Sequence, residues 1–199
     1  MKFYLDSDWF IDTAEFIDLS IGVATHGVRA WYLDYPRITP VMEHGFVGSV
    51  ALGGAVNFRD IYFNPHGHGT HTESHGHISK EVYPVSHCFN QFFFDAQLIT
   101  IIPDIIGGDR VITAEQLRDL SPCDALVIRT EPNYLSKSTT NYSDTNPTYM
   151  DVACVDILNE CGIKHLLVDI PSVDKEIDGG ILAFHHAFWN VPESPVLDR

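Results

Sequence analysis

Ala125-Leu126-Val127-Ile128 is the stretch that decides the fold. Four consecutive apolar residues, closed by the polar pair Arg129-Thr130, predict a buried strand. Upstream, Gln97 to Ile102 is a second compact apolar strand, ended by Pro103. Downstream, Leu166-Leu167-Val168 is a third. Helical signals alternate with these strands. Thr113-Ala114-Glu115-Gln116 is a capping box that opens a short helix to Leu120, and Ser121-Pro122 stops it. Tyr149 to Cys161 predicts a longer helix with Gly162 as its stop. Ile181 to Asn190 predicts a last short one. The first half differs. Phe16 to Ser20 predicts a short strand, and Phe46–Leu52 and Ala55–Phe63 predict a hairpin turning at Gly53-Gly54. Thr25 to Glu43 is irregular, punctuated by Pro36 and Pro40. The whole predicts an α/β protein, a central mixed sheet with flanking helices, in one domain over residues 1–199. Glu131 to Pro147 is a 17-residue polar loop, long enough for a lid or binding loop.

The second predicted hairpin strand runs into His66-Gly67-His68-Gly69-Thr70-His71-Thr72-Glu73-Ser74-His75-Gly76-His77. Five of the chain's eleven histidines fall in these twelve residues. Imidazole and carboxylate are donors for zinc, iron or manganese. A solvated His-rich loop is the plain alternative. Spacing argues against it: His71 and Glu73 share one face of an extended segment, and His77 joins them if the strand persists. His185 and His186 are neighbours on the last predicted helix, so they point about 100° apart and only one faces a common ion.

Composition narrows the class. The chain is 45% hydrophobic and 20% charged, ordinary for a globular protein. Its formal net charge of −15 argues against nucleic acid as a partner and for attraction of metal cations. No apolar run reaches 18 residues, so no membrane span is expected. The N-terminus lacks a signal peptide's pattern. Cys88, Cys123, Cys154 and Cys161 form no CxxC pair and suit reduced thiols in the cytoplasm.

Gly69-Thr70-His71-Thr72-Glu73 with His77 resembles the signature of the cyclase family of metal-dependent hydrolases, best known for bacterial kynurenine formamidase. Ile17-Asp18-Leu19-Ser20, Ala125 to Thr130 and Val168 to Asp174 agree with it, and His185 falls where such proteins carry a late metal-binding histidine. The resemblance implies a swivelling β/β/α fold and one or two divalent metals, usually Zn2+, with Mn2+ as the alternative. It implies hydrolysis of an aryl formamide or a related cyclic or linear amide, a small-molecule substrate, and a homodimer. Residue by residue it implies His71, Glu73 and His185 as metal ligands, Glu73 as a carboxylate able to bridge two metals, and His77 as proton carrier.

The sequence departs from the family's pattern in three places. The leading histidine falls on Gly67; His66 and His68 flank it, and His66 is the preferred ligand. Glu73 replaces aspartate and His75 replaces proline. The family's later glutamate has no counterpart before Leu197-Asp198-Arg199, and Glu193 and Asp198 are poor substitutes. That implies a shortened chain or an incomplete second metal site. His186 is a weaker ligand candidate. Trp31 and Trp189 are pocket candidates for an aryl substrate, whereas Phe92, Phe93 and Phe94 suit core packing better. Three rivals stand beside amide hydrolysis. They are a cyclase, dehydratase or isatin-type hydrolase on the same scaffold, an iron oxygenase with a two-His-one-carboxylate triad, and a noncatalytic metal-binding protein.

Overall fold

The computed structural model describes residues 2–4 and 10–192. In chain order its strands begin with the ribbon of β1 (Lys2–Tyr4) and β2 (Phe10–Asp12). Next come β3 (Arg37–Pro40), β4 (Met42–Glu43), β5 (Phe46–Val47) and β6 (Arg59–Tyr62). Of these, β3 pairs antiparallel with β6, and β4 with β5. After a single helical turn, α1 (Val85–Cys88), β7 (Ala96–Ile101), β8 (Asp104–Ile106), β9 (Asp109–Ile112) and β10 (Ala125–Thr130) follow. Then come β11 (Tyr149–Met150), α2 (Cys154–Glu160), β12 (His165–Val168) and α3 (Ala183–Trp189).

The fold is mixed α/β, but its strands are divided among small sheets rather than gathered into one central sheet. The strand that decides the fold, β10, lies between β7 and β12, parallel to both. Its Leu126 and Ile128 face inward and are almost wholly buried. They meet Ile112 of β9, Leu117 of the capped turn after it, Cys154 and Leu158 of α2, and Phe184 of α3. This single cluster is the main core, and it sets the floor on which α3 places His185. The second sheet has β9 in its middle, antiparallel to β8 and parallel to β11.

Several local expectations change. The capping box at Thr113 forms as drawn, with Gln116 reaching back to the Thr113 N–H, but the turn it starts is a 3₁₀ turn over Ala114–Leu117. The helix predicted from Tyr149 starts only at Cys154. Tyr149 and Met150 pair with Val111 and Ile112, and Asp151 turns the chain by accepting from the Ala153 N–H. Phe16 to Ser20 forms no strand; its apolar side chains point outward and meet no core. The hairpin at Gly53-Gly54 is replaced by a 3₁₀ turn over Val50–Leu52. The flanking segments then form their ladders with β4 and β3, and meet each other where the Phe58 N–H donates to the Gly48 carbonyl and the Val50 N–H to Asn57 Oδ1. Phe92 and Phe93 are not core residues, being 77% and 65% exposed, while Phe94 packs on the His165 ring. The 131–147 loop is pinned rather than free. Lys137 reaches Asp169 and Thr130, and Glu176 accepts from the Asp144 and Asn146 N–H groups. Glu193 and Asp198 lie outside the described residues. Among the described residues no helix is long and apolar enough to cross a membrane.

Candidate metal centre

The His tract leaves β6 as irregular chain and makes two 3₁₀ turns, Pro65–Gly67 and His75–His77. The first is started by the Asn64 side chain, which accepts from the His66 N–H. The second is started by Ser74, which accepts from the Gly76 N–H and donates to the Tyr83 carbonyl. So His77 reaches the face of His71 and Glu73 through a turn, not along a persisting strand. Two glycines are needed for close approach. Gly69 has φ +128°, and a Cβ there would sit 2.8 Å from the Ile21 carbonyl; a Cβ on Gly76 would sit 2.5 Å from the Tyr83 carbonyl. Beside Gly69, Thr70 is zipped to Ile21 by two hydrogen bonds, one from each backbone N–H. These bonds hold the residue that follows the Ile17–Ser20 stretch against the tract.

Five side chains converge. Glu73 Oε1 lies 2.7 Å from His66 Nδ1 and 2.8 Å from His71 Nε2. Its other oxygen lies 3.4 Å from His185 Nε2. The His77 ring stacks on that of His66 at a centroid distance of 4.2 Å. Two sets of donors have their ligand atoms within 4.8 Å of one another: His66, His71 and Glu73, and Glu73, His77 and His185. Either set can hold a metal ion, and Glu73 belongs to both.

Hydrogen bonds on the far side of two rings show what fits between them. His71 Nδ1 is 3.1 Å from the Gly69 carbonyl, and His185 Nδ1 is 2.5 Å from the buried Asp174 carboxylate. Both partners only accept, so each Nδ1 carries the hydrogen. In the neutral ring, Nε2 is then a bare lone pair aimed at a carboxylate oxygen. That arrangement repels unless a proton or a metal cation lies between. Outer N–H groups donated to oxygen are how metal-binding histidines are oriented. The donor chemistry therefore fits a cation held on Glu73.

The electrostatics agree. Burial works against the Glu73 charge, yet hydrogen bonds from His185, His71 and His66 hold its carboxyl far below the usual range. Burial likewise lowers the His185 pKa, but Asp174 and Glu73 together outweigh it and push it up to about 9. His71 is raised by its hydrogen bond to Glu73. His77 goes the other way: crowding against the cluster lowers it, with the Glu73 charge opposing and His66, His185 and His71 adding to the fall. Its other side is open to solvent.

Two ligand candidates are excluded by their partners. His68 is buried with both ring nitrogens engaged, Nδ1 accepting from the Asn64 N–H and Nε2 donating to the Asp34 carbonyl, each at 2.8 Å. His186 points away from its neighbour and donates Nδ1–H to the Val191 carbonyl at 2.8 Å, closing the end of α3. Trp189 lies with its ring centroid 5.2 Å from that of His185. Trp31 donates its indole N–H to the His66 carbonyl at 3.1 Å, so it braces the backbone of the first turn. A cavity of about 330 Å³ lies behind Asp174, lined by Val111, Tyr149, Lys175 and Ile181, and takes in none of the five converging side chains. Donor chemistry, not volume, singles out the cluster.

The residue that sequence reasoning missed is Asp174. It is 8% exposed, accepts from the Phe184 and His185 N–H groups, and holds the His185 ring. Its signal was present in the Val168–Asp174 stretch, but nothing in the sequence says that this stretch meets the start of α3. Asp174→Asn should weaken zinc binding about 10–100-fold, the usual cost of losing a ligand's outer partner. Chelator competition measures it, and an unchanged affinity would show that the contact is only structural.

The metal-free chain should also show a defined loss of stability at alkaline pH. The folded pKa of His185 lies above its ordinary 6.5, so the stability it contributes is complete below about pH 6.5 and disappears as pH rises through about 9. Thermal unfolding of stripped protein between pH 6.5 and 9.5 checks this. The fall should be smaller in Asp174→Asn; an equal fall in both proteins would contradict the assignment.

The family's profile matches residues 17–175, and the chain belongs to the Cyclase family. Membership brings a metal-dependent hydrolase- or cyclase-like function with it. No curated protein matches the chain.

Proposed function

We propose that this chain is a metal-dependent amide hydrolase that cleaves an aryl formamide or a related cyclic or linear amide. The observation that carries the reading is the convergence of His71 Nε2 and His185 Nε2 on the two oxygens of Glu73, with each ring's Nδ1 turned outward to an oxygen acceptor. Nitrogen and oxygen donors suit Zn2+, with Mn2+ second. His66, His71 and Glu73 would hold one ion, and His185 with Glu73 a second if two are bound. When bound, such an ion supplies a Lewis acid for the substrate carbonyl and a water of lowered pKa.

The chain's own residues do the rest. Glu73 gathers the imidazoles and keeps its negative charge at any working pH. Asp174 holds His185 in one tautomer and one orientation. His77 is the acid–base group. Among the described residues neither of its ring nitrogens makes a hydrogen bond, and its lowered pKa keeps it neutral and ready to accept a proton at neutral pH. It takes the proton from the attacking water and returns it to the leaving nitrogen. Trp189, beside His185, offers an aromatic wall to the aryl group.

The test is hydrolysis of N-formylkynurenine, and of isatin in parallel, by zinc-loaded protein. Turnover that a chelator abolishes and zinc restores is expected with at least one of them. No turnover of either by fully loaded protein would sink the amide-hydrolase reading.

A further inference from the structure

Ala30-Trp31-Tyr32-Leu33 makes a turn that its sequence does not favour. The Leu33 N–H donates to the Ala30 carbonyl, and both central residues stand at positive φ, +58° for Trp31 and +59° for Tyr32. A turn of this mirror-image kind ordinarily recruits Gly, Asn or Asp, because bulky side chains avoid the left-handed region. Such a conformation persists only where its surroundings impose it. Ser143, Asp144, His66 and Gly67 impose it here. The Tyr32 N–H donates to Ser143 Oγ at 2.8 Å, and the Tyr32 hydroxyl to the Asp144 carboxylate at 3.2 Å. The Trp31 indole N–H meets the His66 carbonyl, and the Ala30 N–H meets the Gly67 carbonyl, each at 3.1 Å. The turn is therefore held by the 131–147 loop on one side and holds the first turn of the His tract on the other.

The loop end is itself fixed by one carboxylate. Glu176 accepts from the Asp144 N–H through one oxygen, at 2.6 Å, and from the Asn146 N–H through the other, at 3.0 Å. Asp144 and Asn146 also stand at positive φ, so four of the seven non-glycine residues in that region, among those described, belong to this frame. Glu176 lies two residues after Asp174, whose carboxylate holds the His185 ring. One run of hydrogen bonds thus connects the two chain segments that supply the centre. It starts at Asp174 and Glu176, passes through Asp144 and Ser143 to Tyr32 and Trp31, and ends at His66. At the centre itself the two segments meet through side chains, with Glu73 3.4 Å from His185. Metal–ligand distances are defined to about 0.2 Å, which a side-chain contact alone does not set. The backbone frame behind the donors supplies that precision.

We propose that Glu176 is a positioning residue of the metal centre. By pinning Asp144 and Asn146 it imposes the Trp31–Tyr32 turn, and so keeps His66 in register with Glu73 and His185. It acts through Trp31, not on the ion. The role rests on the proposed metal centre, and the experiment separates the two.

The metal-free full chain is titrated with Co2+, whose visible absorption reports the geometry of its ligands. In Glu176→Gln one acceptor oxygen becomes an NH2 group that cannot take an N–H. Affinity should fall about ten-fold, the lower end for the outer partner of a ligand, and the visible band should change shape while the protein stays folded. Trp31→Phe, which keeps a ring and loses the N–H, should show the same altered band. The double variant should bind no more weakly than the weaker single one, because both changes act along one path. A parent that takes up no Co2+ defeats the metal centre and the positioning role with it. A parent that binds, with Glu176→Gln matching it in affinity and spectrum, defeats the positioning role alone. Additive losses in the double variant do the same. If Glu176→Gln fails to fold, Ser143→Ala, which removes only the hydroxyl that holds the Tyr32 N–H, is judged by the same outcomes.

Discussion

Glu73→Gln should cost the chain its metal while leaving its fold intact. Glutamine keeps the shape of the side chain but removes the charge that three imidazoles surround. The Glu73 carboxylate contacts His66, His71 and His185, and it is the one group shared by both donor sets. Its loss should therefore weaken binding at both positions. A drop of more than about 100-fold in zinc affinity is expected, beyond the range for an outer partner such as Asp174. The folding transition should survive, because His66, His71 and His185, the partners of Glu73, are not members of the apolar core around Leu126 and Phe184. Elemental analysis beside circular dichroism separates the two effects. Full metal content in a folded Glu73→Gln protein would remove the carboxylate from the centre.

His77→Ala should do the reverse and retain an ion while losing rate. His66, His71 and Glu73 remain as a complete donor set without it. Removing a general acid–base group typically costs 10²- to 10⁴-fold, equivalent to about 2.7–5.4 kcal/mol in the barrier. The loss should fall on kcat and kcat/KM together, since the proton moves only in the transition state. If two ions bind, stoichiometry in the variant should drop from two towards one, because His77 belongs to the second set. Undiminished turnover at full metal content would exclude His77 from the proton path.

The parts of the structure that the sequence made legible are those governed by local rules. Ala125–Ile128, Gln97–Ile102 and Leu166–Val168 are apolar runs that read as strands, and all three lie in the parallel sheet; Ala125–Ile128, in its middle, is mostly buried, whereas Leu98 and Leu167 of its neighbours stay exposed. Thr113 and Gln116 satisfy each other's backbone donors within four residues, so their turn was also legible. The His tract announced itself by composition, and the angle between His185 and His186 foretold that only one would face the cluster.

What escaped was decided at a distance. The late start of α2 follows from Tyr149 and Met150 pairing with Val111 and Ile112, residues nearly forty positions earlier. The failed hairpin at Gly53-Gly54 reflects competition from β3 and β4 for the same backbone groups. His68 stood as a weaker ligand candidate beside His66, and the structure engages both of its nitrogens with Asp34 and Asn64. Asp174 lies eleven residues before His185, and only the turn through Gly179 and Gly180, both at positive φ, brings the two together.

The central claim is that His66, His71, Glu73 and His185 form a metal centre. The most direct test is zinc content per chain after stripping and reconstitution, for the parent and for His71→Ala. One or two tightly held ions in the parent, lost together with the His71 imidazole, is the predicted result. A parent that holds no metal after reconstitution, or a His71→Ala protein that retains the full amount, would contradict it.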